Sequence, residues 1–324
     1  MIVSILKGNK VHICDQKNAS NIHNRGFFGV YKKNILQLNL IEAVFLYEEK
    51  KISISDDKGE RSLEEMLLYS NKKIEDFDNK YVIYRDLRKR GLVIDIDNHF
   101  LVYPRGKNQH NSDPEYSLVP ISEGSVFVLD DVFKWSKENV VIGVVDEDSD
   151  ITYYEMKSID ISGKYVEKNY GEGFVVGDRV LISDNKYIDK KYRKKIGDYV
   201  ELSMIEAAYL MMKKKLKLKN CDDVIKYAKK RDRDFEKKFL LYKDLKNRNL
   251  YVRTGFRYGT HFRVYTQINN GHAPFLLHIL TQDEEWQKIS RAVRLAHGVR
   301  KSMVFARIAK NQDIEYIKME RFKP

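Results

Sequence analysis

Apolar and polar positions follow two different rhythms along this chain. In "LSMIEAAYLMMKKKLKL" (202–218) the apolar residues recur at helical spacing from Ile205, and Ser203 and Glu206 stand at the separation of a capping box. Residues 221–248 continue as one or two charged helices, with Asp222 or Asp223 at the start. The rhythm then changes: "LYVRTGFRYGTHFRVYTQ" (250–267) alternates around glycines that favour turns, which predicts a hairpin or meander. "PFLLHIL" (274–280) is apolar almost throughout, the mark of a strand covered on both faces. A helix is expected over about 284–302, and "MVFARIAKNQDIEYIKME" (303–320) reads as two strands joined by a polar turn. The opening "MIVSILKGNKVHICDQ" is soon interrupted by polar residues. It predicts a strand, being too short and wrongly flanked for a signal peptide or a membrane span.

The same pattern occurs twice. "LNLIEAVFLYEEKKISI" (38–54) matches 202–218, "YVIYRDLRKRGLVI" (81–94) matches "FLLYKDLKNRNLYV" (239–252), and "VIGVVDEDSDITYYEM" (141–156) matches 304–319. "HFLVYPRGKNQHNSDPEYSLVP" (99–120) is the counterpart of "HFRVYTQINNGHAPFLLHIL" (261–280). Offsets of 164, 158, 162 and 163 mean collinear copies with small insertions and deletions, meeting near residue 164. That period is too long for a solenoid and fits a duplicated domain pair. The expected fold is α/β, tandemly duplicated, with mixed sheets flanked by helices. The expected domains are an α+β piece over 1–80, an α/β piece over 81–164, a second α+β piece over 165–238 and a second α/β piece over 239–324.

Charge separates the copies. The net charge is +12, yet residues 1–164 hold 23 Lys+Arg against 27 Asp+Glu, and residues 165–324 hold 36 against 20. A lysine-rich surface can simply keep a protein soluble, but the asymmetry points to a polyanionic partner of the second half. With 43 % hydrophobic and 33 % charged residues and only 5 prolines, the chain has material for real cores and no long disordered tract. Cys14 and Cys221 lie far apart without ligand-like neighbours, so they read as buried thiols in a reducing, cytoplasmic setting. Neither a metal site nor a cofactor motif is visible.

Three motifs in the second copy carry chemistry-bearing residues: "GFRYGTHFRVY" (255–265), "HAPFLLHIL" (272–280) and "RLAHGVRKSMVFA" (294–306). In this order and at these separations they resemble the archaeal tRNA-splicing endonucleases. With the duplication, the resemblance extends over essentially the whole chain, to the branch in which one polypeptide holds two fused units and forms a homodimer. The resemblance implies a nuclease-like α/β fold and metal-independent excision of introns from precursor tRNA at bulge-helix-bulge RNA, leaving 2′,3′-cyclic phosphate and 5′-hydroxyl ends. It assigns the catalytic roles to Tyr265 (general base), His272 (general acid) and Lys301 (charge stabilisation). It also makes Arg294 one of two arginines that sandwich a bulged base, with Arg321 a candidate for the second.

The residue types suit that chemistry. Attack by a 2′-hydroxyl requires removal of its proton, protonation of the 5′-oxygen and neutralisation of charge on the phosphorane. An imidazole, ordinarily titrating near 6.5, suits the acid, and a lysine is a standing cation at neutral pH. A phenol, ordinarily near 10, is the least comfortable base, and a cation close by would help it. By residue type alone the tyrosine and histidine roles are interchangeable. Arg291, Arg294, His297 and Lys301, spaced 3, 3 and 4, are expected to line one helix face, with Arg291 a further RNA contact and Ala292, Ala296, Val299 and Met303 on an apolar face. His261, matched by His99, is expected to support the hairpin common to both copies. His278 and Trp286 are expected in the core, and His297 to touch RNA or serve the structure.

In the first copy Tyr103 stands opposite Tyr265, but Asp113 replaces His272 and Glu138 replaces Lys301. Acids there repel a phosphate, so each chain should hold one active centre. Asp146, Glu147 and Asp148 stand where the second copy has Ala309, Lys310 and Asn311. The resemblance implies that such an acidic loop enters a basic pocket of a partner. The competing readings are a non-catalytic RNA-binding or assembly subunit, and a metal-dependent DNA nuclease. The latter needs clustered carboxylates that 255–280 lacks.

Overall fold

The computed structural model describes residues 1–183, 193–268 and 271–324. It divides into two compact units. The first comprises Met1–Lys157, Asp283–Arg291 and Met319–Pro324, and the second Ser158–Gln282 and Ala292–Lys318.

The first unit opens with the strand expected from "MIVSILK", which folds back as a hairpin, β1 (Ile2–Lys7) and β2 (Lys10–Ile13). Helix α1 (Gln16–Gly26), β3 (Val30–Lys32), β4 (Ile35–Asn39), α2 (Leu40–Glu48), β5 (Ile52–Asp56), β6 (Gly59–Glu60) and α3 (Leu63–Lys73) complete a sheet of order β3-β4-β2-β1-β5-β6. Helix α2 starts where Asn39 accepts from the Ile41 backbone and Glu42 reaches back to the Asn39 backbone, a closed capping box. Helix α4 (Phe77–Lys89) then leads into β7 (Ile94–Ile96), β8 (Phe100–Val102), β9 (Tyr116–Ser122), β10 (Val126–Phe127), α5 (Leu129–Trp135), β11 (Val140–Val145) and β12 (Ile151–Ser158). Here the order is β12-β11-β9-β8-β7, with β11 parallel to β9 and β11–β12, β8–β9 and β7–β8 antiparallel.

The second unit repeats both sheets. Strands β13 (Gly171–Val176), β14 (Arg179–Ser183), β15 (Lys195–Ile196), β16 (Tyr199–Ser203) and β17 (Leu216–Leu218) pair in the order β15-β16-β14-β13-β17, and helix α6 (Met204–Met212) stands in the place of α2. Helices α7 (Val224–Lys229) and α8 (Phe235–Asn247) are the charged helices expected over 221–248, and Asp223 caps α7 by accepting from Lys226. After them come β18 (Tyr251–Thr254), a 3₁₀ turn at Phe256–Tyr258, β19 (Phe262–Tyr265), β20 (Phe275–Ile279), β21 (Glu284–Glu285), α9 (Trp286–Gly298), β22 (Ser302–Ile308) and β23 (Ile314–Phe322). The order β18-β19-β20-β22-β23 copies that of the first unit, again with one parallel pair, β20 and β22.

Register makes the correspondence residue-specific. Val102 faces Tyr116 as Val264 faces Phe275, and Ser117 faces Val140 as Leu276 faces Met303. Tyr103 therefore corresponds to Tyr265, Asp113 to His272 and Glu138 to Lys301, as in the sequence alignment.

Two expectations change. Cys14 is exposed and Cys221 half-buried, because each lies just past a strand end and just before a helix cap, outside the alternation that buries Val11 and Ile13. Helix α9 is shorter than 284–302. Its buried residues are Trp286, Ile289, Ser290, Val293 and Ala296, whereas Ala292 is only partly covered and Val299 is 40 % exposed. Trp286 is core, packed edge-on against Phe127 at 4.8 Å within the first unit, where β10 pairs with β21. Among the described residues no helix is long and apolar enough to cross a membrane.

Candidate active site

Strand β19 delivers Tyr265 at its C-terminal end, one step beyond the Val264–Phe275 pair, so it sits level with Pro274. Strand β22 runs parallel to β20 with Ser302 opposite Phe275 and its backbone N–H bonded to Pro274 O at 2.9 Å. Lys301 therefore reaches the same level from the other side of β20. His272, in the segment that leads into β20, is exposed. The three residues expected to act together come from three adjacent strand ends.

Ala273 ties them. It is bonded in the chain to His272, packs in a small cluster with Tyr265 and Tyr251, and accepts a hydrogen bond from Lys301 Nζ at 2.7 Å. A lysine ammonium has three N–H donors and no acceptor. One is fixed on this carbonyl, which holds the cation at the residue that follows His272 in the chain. The ammonium also stands 5.8 Å from the centre of the Tyr258 ring. Tyr258 is a neighbour that sequence reasoning missed, although "GFRYG" was one of the motifs in hand.

Lys301 is not on the helix. Helix α9 ends at Gly298, and Arg300 turns left-handed at φ 55°. The Arg300 backbone N–H bonds to His297 O at 3.0 Å and that of Lys301 to Ala296 O at 2.9 Å, a Schellman closure. The 3, 3, 4 spacing suggested one continuous face, but the left-handed residue turns Lys301 away from it into β22. Arg291, Arg294 and His297 do lie on α9, and all three are exposed. Arg291 falls among the first unit's residues and Arg294 among the second's, while Arg321 is exposed near the end of β23.

Tyr265 is buried, 2 % exposed, its ring tilted against Tyr251 at 5.6 Å. The backbone just after it is clamped by the segment between the repeats. Lys164 donates to Thr266 O at 2.9 Å, and Gly163 lies where a Cβ would meet Asn249 O and Thr266 O at 2.5 and 2.7 Å.

Behind the tyrosines is a buried polar network. The Tyr165 ring is tilted against that of Tyr251 at 5.0 Å, its hydroxyl donates to Glu167 at 3.0 Å, and Glu167 pairs with Lys246 at 2.5 Å. The Lys246 ammonium stands 4.0 Å from the Tyr165 ring centre, and burial lowers its pKa despite Glu167. Arg193, with no side-chain exposure, makes a two-pronged contact with Glu206 at 2.6 and 3.0 Å, and Arg253 reaches the same carboxylate at 3.3 Å. Ser203 caps α6 by accepting from Glu206 N, but the Glu206 side chain faces these arginines, so the expected capping box is half closed. In the first unit Glu42, at the equivalent position, instead accepts backbone N–H groups of Gly29 and Asn39 at 2.8 Å each.

His261 supports the hairpin as expected. Its Nδ1 accepts from the Ile279 backbone at 3.1 Å, which needs the neutral ring, and the ring lies 4.3 Å from that of His278. His278 itself is half-buried. Burial first, then His278 and Lys238 against Asp234 and Asp232, lowers the His261 pKa to about 4. A histidine whose pKa is depressed on folding stabilises the fold above its unfolded value of 6.5, and that contribution is lost as pH falls towards 4. The thermal midpoint of the wild type should therefore fall more steeply over this window than that of His261→Gln. Parallel curves from scanning calorimetry would contradict it.

In the acidic loop, Asp146 accepts from the Asp148 and Asp150 backbones at 3.1 and 2.8 Å, so its carboxylate organises the turn. Glu147 and Asp148 are exposed. Ser149 and Gln312 turn left-handed at φ 65° and 66°, so the two hairpins share their geometry and differ in charge.

Comparison with known proteins matches this architecture. The profile of the catalytic C-terminal domain of tRNA intron endonuclease matches residues 235–316, and that of the N-terminal domain matches twice, at 3–67 and 171–229. The tRNA-splicing endonuclease of Methanococcoides burtonii is 30 % identical over 341 residues, covering 96 % of this chain and 97 % of that protein. The tRNA-splicing endonuclease of Methanosarcina mazei is 30 % identical over 348 residues, covering 98 % of each. That of Thermococcus kodakarensis is 34 % identical over 167 residues, which is 98 % of its own length and 48 % of this chain.

Proposed function

The chain belongs to the tRNA intron endonuclease family, and from that premise we propose that it excises introns from precursor tRNA by cutting bulge-helix-bulge RNA through internal transesterification at Tyr265, His272 and Lys301. The supporting observation is the Ala273 junction, which links all three. In this reading Tyr265 takes the proton of the 2′-hydroxyl, whose oxygen attacks the adjacent phosphorus. Lys301 stabilises the extra negative charge, and His272 protonates the departing 5′-oxygen as its bond to phosphorus breaks. The products are a 2′,3′-cyclic phosphate and a 5′-hydroxyl, and no metal ion takes part. RNA binding has to uncover the Tyr265 hydroxyl for this to occur.

The reading treats 1–80, 81–164, 165–238 and 239–324 as four domains, of which only the last carries a site. One centre per chain and two bulges per substrate call for two copies, so the working enzyme is a homodimer. Glu147 and Asp148 contribute charge to the contact between copies, with Asp146 shaping the turn. Arg294, Arg291 and Arg321, all exposed, bind RNA. Two cysteines without a disulfide suit a reducing cytoplasm.

The test is cleavage of end-labelled bulge-helix-bulge RNA in excess EDTA, with end-group analysis. Cyclic phosphate and 5′-hydroxyl ends are expected. Metal-dependent cleavage leaving 5′-phosphate would overturn the mechanism, and tight binding without cleavage would assign the chain to the non-catalytic subunit class.

A further inference from the structure

We propose that the 3₁₀ turn Phe256–Arg257–Tyr258 is a stacking platform for an unpaired nucleobase of the RNA substrate, next to the phosphate held at Lys301. Phe256 is 88 % exposed. A single exposed apolar residue needs no explanation, but this one has three independent features around it.

The turn is rigid. The Tyr258 backbone donates to Gly255 O at 2.7 Å, Gly259 donates to Phe256 O at 3.0 Å, and Gly255 donates to His261 O at 3.0 Å. A Cβ at Gly255 would stand 2.2 Å from Thr260 Oγ1 and 2.8 Å from Thr260 O, and Gly259 closes the turn at φ +66°. Gly255 is thus required by sterics and Gly259 is favoured by its left-handed φ, and three backbone hydrogen bonds hold the turn that presents the aromatic ring.

The turn reaches the candidate site. Its third residue, Tyr258, has its ring 5.8 Å from the Lys301 ammonium, and its second, Arg257, is exposed. A cation beside an aromatic face is the arrangement that binds a phosphate and stacks the attached base, whatever the base.

The turn is confined to the unit that has the site. In the first unit the β7–β8 connection is 97–99 and carries Asp97 and Asn98, whereas the matching β18–β19 connection is 255–261. The copy in which Asp113 and Glu138 replace the histidine and lysine has neither the aromatic nor the basic residue. Hairpin support does not demand the longer turn, because the first unit forms its hairpin without it.

The proposal rests on the reading that this unit cuts RNA. The experiment uses the full chain and bulge-helix-bulge RNA with 2′-deoxy residues at the cleavage positions, so that binding is read without cleavage. Phe256→Ala should weaken the Kd by roughly 5- to 150-fold, the range of one base–aromatic stack. With cleavable RNA it should raise KM in parallel and leave the saturated single-turnover rate within about twofold of wild type, as a contact that is equally strong in ground and transition states does. Phe256→Trp should keep the affinity and show emission quenched by the RNA. An unchanged Kd in Phe256→Ala, or a loss confined to the saturated rate, overturns the platform. If wild type cleaves normally and Phe256→Ala is silent, the platform falls and the reaction stands. If Phe256→Ala weakens binding but wild type does not cleave, the platform stands and the reaction falls.

Discussion

His272→Ala should slow single-turnover cleavage of bulge-helix-bulge RNA by about 10²- to 10⁴-fold, the usual contribution of a positioned general acid, with little change in affinity. Lys301→Met should lose about 10²- to 10³-fold, as removal of one transition-state charge stabiliser does. It should also loosen the segment ahead of β20, because the Ala273 carbonyl loses its donor. A leaving group that needs no proton separates the roles. When sulfur replaces the 5′-bridging oxygen, the departing thiolate is stable, so His272→Ala should recover most of its rate while Lys301→Met and Tyr265→Phe should not. Recovery by Tyr265→Phe instead would exchange the acid and base assignments. Near-wild-type cleavage of ordinary RNA by His272→Ala would remove the histidine from the mechanism. Tyr265→Phe retains the ring packed on Tyr251, so its loss of rate reads the hydroxyl alone.

The sequence shows those features that neighbouring residues determine. Helix starts at Ser203 and Asp223, the alternation in β18 and β19, the apolar β20 and the core position of Trp286 all follow from local chemistry. The repeat was legible for the same reason, and matched strand registers place Asp113 and Glu138 where His272 and Lys301 stand. The features that were not legible arise from contacts distant in sequence or from atypical backbone. Arginine is an uncommon left-handed helix terminator, so nothing announced that Arg300 would turn Lys301 off α9. The motif singles out the lysine, and the periodicity put it on the wrong element. The contact of Lys301 with Ala273 spans 28 positions, and that of Arg253 with Glu206 spans 47. Residue type suggests that such charges are solvated, and only the fold shows them paired.

Glu206→Gln should destabilise the second unit by about 3–5 kcal/mol at neutral pH, because removing one partner leaves the Arg193 guanidinium buried and uncompensated. Arg193 has no exposed side-chain surface, so water cannot replace the carboxylate. Burial opposes the Glu206 charge, but Arg193 and Arg253 outweigh it and hold the carboxyl below its ordinary 4.5. A carboxyl depressed in this way stabilises the fold above 4.5 and loses that contribution as pH falls through the lower native value. The gap between wild type and Glu206→Gln should therefore be widest near neutrality and shrink below about 4.5. Glu42 is the internal control. It occupies the same position in the first unit with backbone partners, and burial raises its pKa above 4.5. Its sign is opposite: wild type is favoured over Glu42→Gln most at low pH, and the advantage is lost as pH rises through the raised native value. Scanning calorimetry of the two variants from neutral to acid pH checks both slopes. Equal and parallel shifts would mean that the arginine pair does not distinguish the unit that carries Tyr265, His272 and Lys301 from the one that carries Tyr103, Asp113 and Glu138.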